Sequence, residues 1–270
     1  MTDIQIREYR PEDIPALSAL WREVFGDSEA LIAAFFRLLP GMGSGVVAET
    51  HGAVLGMAWL IDGLWLADAG GAERRCGYLY AVAVAPEKRG AGLGAALSRS
   101  AFELGRRRGA ELLCTEPAEP GLFDWYARTL GVSCALRRRA ETIPAEPGAA
   151  PFHEAEDYGA RREALLKGLT HLRLSDHALD FQRALCADCG GGFYALDGAI
   201  AAAYREGGRA VIRELLAPEG CDRRALAAAL AAQFGMREAL LFTADPGGEP
   251  YLAALPQQLP PETVWGLSFD

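Results

Sequence analysis

A β-forming run, Tyr78-Leu79-Tyr80-Ala81-Val82-Ala83-Val84, passes through Ala85-Pro86-Glu87-Lys88 into Arg89-Gly90-Ala91-Gly92-Leu93-Gly94. Leu93, Leu97, Ala101 and Leu104 then recur at helical spacing, so the glycines fall between a strand and a helix N-terminus. Backbone N–H groups and the helix dipole can hold a phosphate at such a junction. Glycine supplies the unusual backbone angles and leaves room for a ligand to approach the main chain. One alternative is a connector with no ligand. Another is a dinucleotide cradle, since Gly90-x-Gly92-x-x-Ala95 satisfies that fingerprint and Glu111 and Glu116 lie near the distance of a ribose-binding acid. Against it, Pro86-Glu87-Lys88-Arg89 separates strand from glycine, and strands resembling a meander precede the motif.

The surrounding elements read as mixed α/β. Ile4 to Tyr9 alternates like a half-buried strand, and Ile14, Leu17, Leu20, Trp21 and Val24 mark a helix stopped by Gly26. A second helix is expected from about Ser28 to Leu39, ended by Pro40-Gly41, before strands at Val46–Glu49 and Val54–Ile61 joined by His51-Gly52. After the glycine loop and its helix come a strand at Glu111–Thr115, a short helix near Leu122–Leu130 and a strand near Val132–Arg138. Pro144, Pro147, Gly148 and Pro151 break the pattern, which puts a boundary at about 141–152 between units at 1–140 and 153–270. The second unit reads as helices at Tyr158–Leu169 and Ala178–Leu185, three strands between Phe193 and Leu216 with a hairpin at Asp197-Gly198, and a helix from Arg224 to Phe234. Val84-Ala85-Pro86-Glu87 precedes one helix and Leu216-Ala217-Pro218-Glu219 the other, a weak internal repeat whose second copy has lost the glycines.

Composition narrows the function. The 270 residues allow one large domain or two modest ones, and 27 Lys and Arg against 36 Asp and Glu leave a formal charge of −9, which argues against a general nucleic-acid binder. The triplets Arg106–Arg108 and Arg137–Arg139 read as solvated faces. No apolar run approaches the roughly 20 residues of a spanning helix, and the N-terminus is charged where a signal peptide is apolar. Six cysteines without an extracellular cue read as reduced thiols, so the expected location is the cytoplasm, with no membrane partner. Cys186 and Cys189 form a lone CxxC without a second pair, so no metal is expected.

Val82 to Gly94 resembles the acetyl-CoA signature of the GNAT N-acetyltransferase superfamily, Arg/Gln-x-x-Gly-x-Gly/Ala after a hydrophobic strand, with Arg89, Gly92 and Gly94 at the defining positions. The resemblance covers about residues 4–138. It implies a GNAT-like central mixed sheet flanked by helices, followed by a second, degenerate GNAT-like unit, and acetyl-CoA as co-substrate. It implies that the main chain of Arg89, Gly90, Ala91, Gly92, Leu93, Gly94 and Ala95 holds the CoA pyrophosphate. It also implies that the main chain of Val82, Ala83 and Val84 pairs with the pantetheine arm and holds the thioester carbonyl, beside a gap opposite Glu111–Thr115. Phe123 to Val132 is similar to the family's Phe-Tyr-x-x-x-Gly-Phe segment, which puts Tyr126 where a hydroxyl protonates the departing thiolate, in place of a plain half-buried aromatic. Glu116 is the candidate base, or else a loop residue. Asp270 is a second candidate, because some two-part members use a C-terminal carboxylate and the segment Trp265–Phe269 is apolar enough to pack. The expected activity is transfer of an acetyl group to a primary amine of a small molecule or peptide. A nucleotide-dependent oxidoreductase and a non-catalytic acetyl-CoA-binding module remain as rivals, and oligomeric state stays open. The second half's loop, Glu219 to Arg224, carries an acid and one glycine and suits pyrophosphate poorly. Acids such as Glu154, Glu156, Asp157, Asp176 and Asp180 there read as solvated surface, or as an attraction for a cationic amine.

Overall fold

The computed structural model describes residues 4–148, 150–256 and 259–269. After β1 (Gln5–Glu8), α1 (Ile14–Phe25) buries Leu17, Leu20 and Trp21 and stops at Gly26, whose φ of +77° lets its N–H turn back to Arg22. α2 (Glu29–Met42) starts where the Ser28 hydroxyl accepts the Leu31 N–H at 3.1 Å. The expected stop at Pro40 does not occur. Proline in the last turn withdraws one N–H, and the burial of Leu38, Leu39 and Met42 carries the helix past it.

β2 (Gly43–Thr50), β3 (Ala53–Ala67) and β4 (Glu73–Val84) come next, then α3 (Leu93–Arg107), β5 (Leu112–Thr115), α4 (Pro120–Leu130) and β6 (Ser133–Pro144). The second half contains β7 (His153–Glu154), α5 (Tyr158–Leu166), β8 (His171–Leu174), α6 (Asp176–Asp188), β9 (Gly192–Leu196), β10 (Ala199–Glu206), β11 (Arg209–Leu216), α7 (Arg223–Gln233), β12 (Glu238–Ala244) and β13 (Glu249–Leu255). The sequence pattern does not mark β7, β8, β12 or β13.

Among the described residues the strands form one sheet in the order β1-β2-β3-β4-β5-β13-β6-β12-β11-β10-β9-β7, with β8 added to β3. Only β4 with β5 and β11 with β12 run parallel. Each parallel ladder holds three rungs and stops: Cys76↔Leu112 to Tyr78↔Cys114 in the first half, Ala210↔Ala239 to Ile212↔Leu241 in the second. The Ala-Pro-Glu repeat thus marks equivalent places, the end of a strand that has parted from its parallel neighbour. The centre of the sheet is exchanged. β13 pairs with β5 through Ala253↔Thr115 to Leu255↔Leu113, while β6 pairs with β12 from Glu238↔Pro144 to Ala244↔Arg138. Each half's parallel pair is therefore bordered by a strand from the other half.

Alternation along β5 sorts two cores. Leu112 and Cys114 join Trp21, Phe35, Tyr78, Phe181 and Phe269 on the face covered by α1, α2 and α6. Leu113 joins Leu79, Leu97, Phe102 and Tyr126 on the face covered by α3 and α4. At roughly 25 cal/mol per Å² of apolar area, these two cores help to hold the separated strands in place, since no rung joins β4 to β5 beyond Tyr78.

Candidate functional site

The parting of β4 from β5 has a local cause. Between Met57↔Ala83 and Trp59↔Tyr80, β4 spends an extra residue against β3, and Ala81 takes φ +44°. An added residue bends a strand and redirects the residues beyond it. A non-glycine residue at positive φ costs of order 1–3 kcal/mol and is kept where the surroundings enforce it. Val82, Ala83 and Val84 consequently pair with β3 alone, through Met57↔Ala83 and Gly56↔Val84, and no rung joins them to β5. The last tie across the gap is a side-chain bond, the Thr115 hydroxyl donating to the Leu79 carbonyl at 3.2 Å.

The glycine loop lies beyond β4, after a single 3-10 turn at Pro86–Lys88. Gly90 and Gly92 have φ of +82° and +80°, and a Cβ on either would meet nothing within 4 Å. Their backbone is therefore open to a ligand. Gly92 caps α3 without any side-chain hydrogen bond to the first-turn amides, and Arg89 Nε donates to the Val84 carbonyl at 3.2 Å, tying loop to strand. A depression of about 310 Å³ lies here between Ile6, Lys88, Arg89, Ala91, Gly92 and Ala96. The equivalent place in the second half is closed. The Asp222 carboxylate accepts the Arg224 and Ala225 amides at 2.9 and 3.1 Å, so a side chain already occupies the N-terminus of α7.

Tyr126 sits on α4, 9% exposed. Burial raises its phenol above the ordinary value, partly offset by a hydrogen bond with Thr115. A raised phenol keeps its proton at neutral pH and can donate it. Glu116, one residue beyond Thr115, leaves β5 on the other face. Its side chain is 3% exposed, and Arg138 Nη2 stands 2.8 Å from Oε1. The Glu116 amide donates to the Tyr78 hydroxyl at 3.2 Å, and the Tyr78 phenol is pushed well up by burial and then by the Glu116 charge. Glu116 is thus a buried carboxylate at the end of the gap, not a surface loop residue. Asp270 lies outside the described residues. Its neighbour Phe269 is packed against Tyr78 and Tyr80 at 5.3 and 6.0 Å between ring centres, and the Ser268 carbonyl accepts Gln182 Nε2 and Arg213 Nη2, both at 2.8 Å.

Arg138 corrects the reading of its triplet as a solvated face. Arg137 donates to the Gly248 carbonyl and Arg139 pairs with Asp245, whereas Arg138 lies over the rings of Phe242 and Tyr251 at 4.4 and 4.9 Å. Period-two alternation of a strand carried this signal; three like charges in a row hid it. Among the described residues no group of three His, Cys, Asp or Glu side chains could hold a metal, and no helix is long and apolar enough to cross a membrane. Cys186 is buried and Cys189 exposed.

Comparison with known proteins accords with this geometry. Residues 5–128 match the acetyltransferase (GNAT) domain model. A search of curated proteins found no match. Among solved structures, a conserved protein of Enterococcus faecalis V583 given as a probable N-acyltransferase aligns with a TM-score of 0.70 at 14% identity, over 94% of this chain and 72% of that one. A GCN5-related N-acetyltransferase of Kribbella flavida aligns at 0.66 and 19% identity, over 94% and 71%. A Pyrococcus horikoshii protein provisionally assigned as an acetyltransferase aligns at 0.64 and 14% identity, over 100% and 94%. At such identities these likenesses speak to the fold, which they share across both halves. Residues 5–128 are thus similar to a GNAT acetyltransferase domain, and the likeness that extends over the rest of the chain is one of fold.

Proposed function

We propose that the protein transfers an acetyl group from acetyl-CoA to a primary amine. The observation that carries the reading is the parting of β4 and β5 after Tyr78↔Cys114, with Tyr126 held by Thr115 on one face of the gap and Glu116 buried on the other. Acetyl-CoA supplies an activated thioester. The chain's own groups do the rest. The amides of Arg89 to Ala95 hold the pyrophosphate, aided by the uncapped N-terminus of α3. The free edge of Val82 to Val84 aligns the pantetheine arm, and its N–H groups stabilise charge on the carbonyl oxygen. Tyr126 protonates the leaving thiolate, and Glu116 accepts the amine's proton. Asp270, the residue after the anchored Phe269, is proposed as a second proton acceptor and is tested by Asp270→Asn. Residues 1–140 are read as the catalytic unit and 153–270 as a degenerate copy, whose Asp222-capped helix takes no phosphate.

Calorimetry with acetyl-CoA and with NAD, followed by thioester consumption over an amine library, tests the proposal. Saturable acetyl-CoA binding and turnover with at least one amine are expected. NAD binding without acetyl-CoA binding overturns it, and tight acetyl-CoA binding with no turnover over the whole library makes the protein a binding module instead.

A further inference from the structure

The parting of β11 and β12 in the second half leaves a cavity of about 770 Å³, within the range of small-molecule sites. Its walls include Leu165, Val211, Leu215, Leu240 and Trp265. Leu169, also on its wall, is 49% exposed, one of three large apolar side chains so exposed among the described residues. The charged groups that line it are spent or peripheral. Glu214 is engaged by Arg162 and by the Tyr158 hydroxyl, which donates at 2.8 Å, and Arg213, buried on the wall, donates to the Ser268 carbonyl at 2.8 Å, whereas Glu206, Arg223 and Glu262 are exposed at its edge. The cavity does not end within the second half. Arg138 is part of its wall, stacked on the lining residues Phe242 and Tyr251, and the same guanidinium faces Glu116. One side chain is therefore shared between this chamber and the carboxylate beside the first gap.

We infer that the chamber between β11 and β12 is the seat of the acceptor, and that the acceptor is a primary amine on an apolar body whose amino end reaches Glu116. This rests on the transferase reading above and adds the substrate class and the place of its binding. The degenerate half then contributes specificity: its strands parted as in the first half, with the phosphate position closed by Asp222 and the gap left to an apolar guest. The apolar walls favour the body of such a molecule by about 25 cal/mol per Å² buried. Glu116 at the chamber's end accepts the proton that the amine must lose before it attacks a thioester.

Octylamine and propylamine titrated calorimetrically into the full chain without acetyl-CoA test the inference. Octylamine is expected to bind saturably and at least tenfold more tightly than propylamine. Leu240→Trp, which fills the chamber, is expected to weaken octylamine at least tenfold while leaving acetyl-CoA affinity within twofold, which also reports on folding. Leu215→Trp fills the chamber from the facing strand and is expected to act alike. Equal binding of the two amines, no octylamine binding, or an octylamine affinity unmoved by both blocking variants overturns the inference. So does a chamber that discriminates octanoyl-CoA from acetyl-CoA, lost in Leu240→Trp, with no preference among amines. Octylamine binding that is blocked by Leu240→Trp in a protein unable to bind acetyl-CoA overturns the transferase reading alone.

Discussion

Thr115 and Glu116 are consecutive at the end of β5, and their side chains leave the sheet on opposite faces: Thr115 shares a hydrogen bond with the Tyr126 phenol, and Glu116 meets Arg138 at 2.8 Å. A phenol and a carboxylate are thereby placed on the two sides of one gap by the alternation of a single strand. Tyr126→Phe is expected to lower kcat by on the order of 10²–10⁴ with acetyl-CoA affinity unchanged. A Phe variant with wild-type kcat removes Tyr126 from the mechanism.

Gly92 has open space around it, so the cost of a side chain there is the backbone angle of +80°. Forcing that angle on alanine costs about 1–2 kcal/mol, enough to weaken acetyl-CoA roughly tenfold if the loop yields. Gly220 has φ +85° in the second half, and Gly220→Ala is expected to leave acetyl-CoA affinity alone. Calorimetry on the two variants makes the comparison. Equal effects would contradict the assignment of the cofactor to the first half.

His171 fixes the segment that ends at Phe269. It sits on β8, bridged to Val264, with Nε2 3.2 Å from a Glu163 oxygen and Nδ1 2.8 Å from the Leu169 carbonyl. The bond to Glu163 raises the imidazole above its ordinary 6.5, against desolvation. A raised folded value means the stabilisation is complete below pH 6.5 and is lost as pH climbs through the folded value. Thermal unfolding of wild type is therefore expected to show Tm falling above pH 6.5 relative to Glu163→Gln. Parallel curves for the two proteins refute the linkage.

The exchange of β13 and β6 predicts that the halves do not fold apart. Residues 1–148 alone leave the β5 edge and the β12-facing edge of β6 without partners, an invitation to aggregation. This fragment is expected to lack a cooperative unfolding transition, and the full chain to show one. A soluble fragment with sharp thermal unfolding would disprove it.

Much of this was legible in the residues. The strand, the glycine loop and the helix beyond it announce themselves because Gly90 and Gly92 hold backbone angles that few residue types accept. The helix that carries Tyr126 is legible through its flanking segment. Arg138 was hidden, since its role depends on Tyr251 and Phe242, more than a hundred residues away in the chain. β12 and β13 were missed for the same reason. Glu238-Ala-Leu-Leu-Phe-Thr-Ala244 and Glu249-Pro-Tyr-Leu-Ala-Ala-Leu255 are short and only partly alternating, and they become strands through partners on β6 and β5. Pairing between distant segments leaves little trace in local pattern.

The strand that borders β5 is made last. Synthesis adds about 5–20 residues per second, so β5, finished at Thr115, waits roughly 10 s for β13, which begins at Glu249. Through that interval the nascent first half carries an open sheet edge at β5. Its maturation is set by the arrival of the other half, and a slowed ribosome between the two would lengthen the period in which neighbouring nascent chains can pair with the wrong strand.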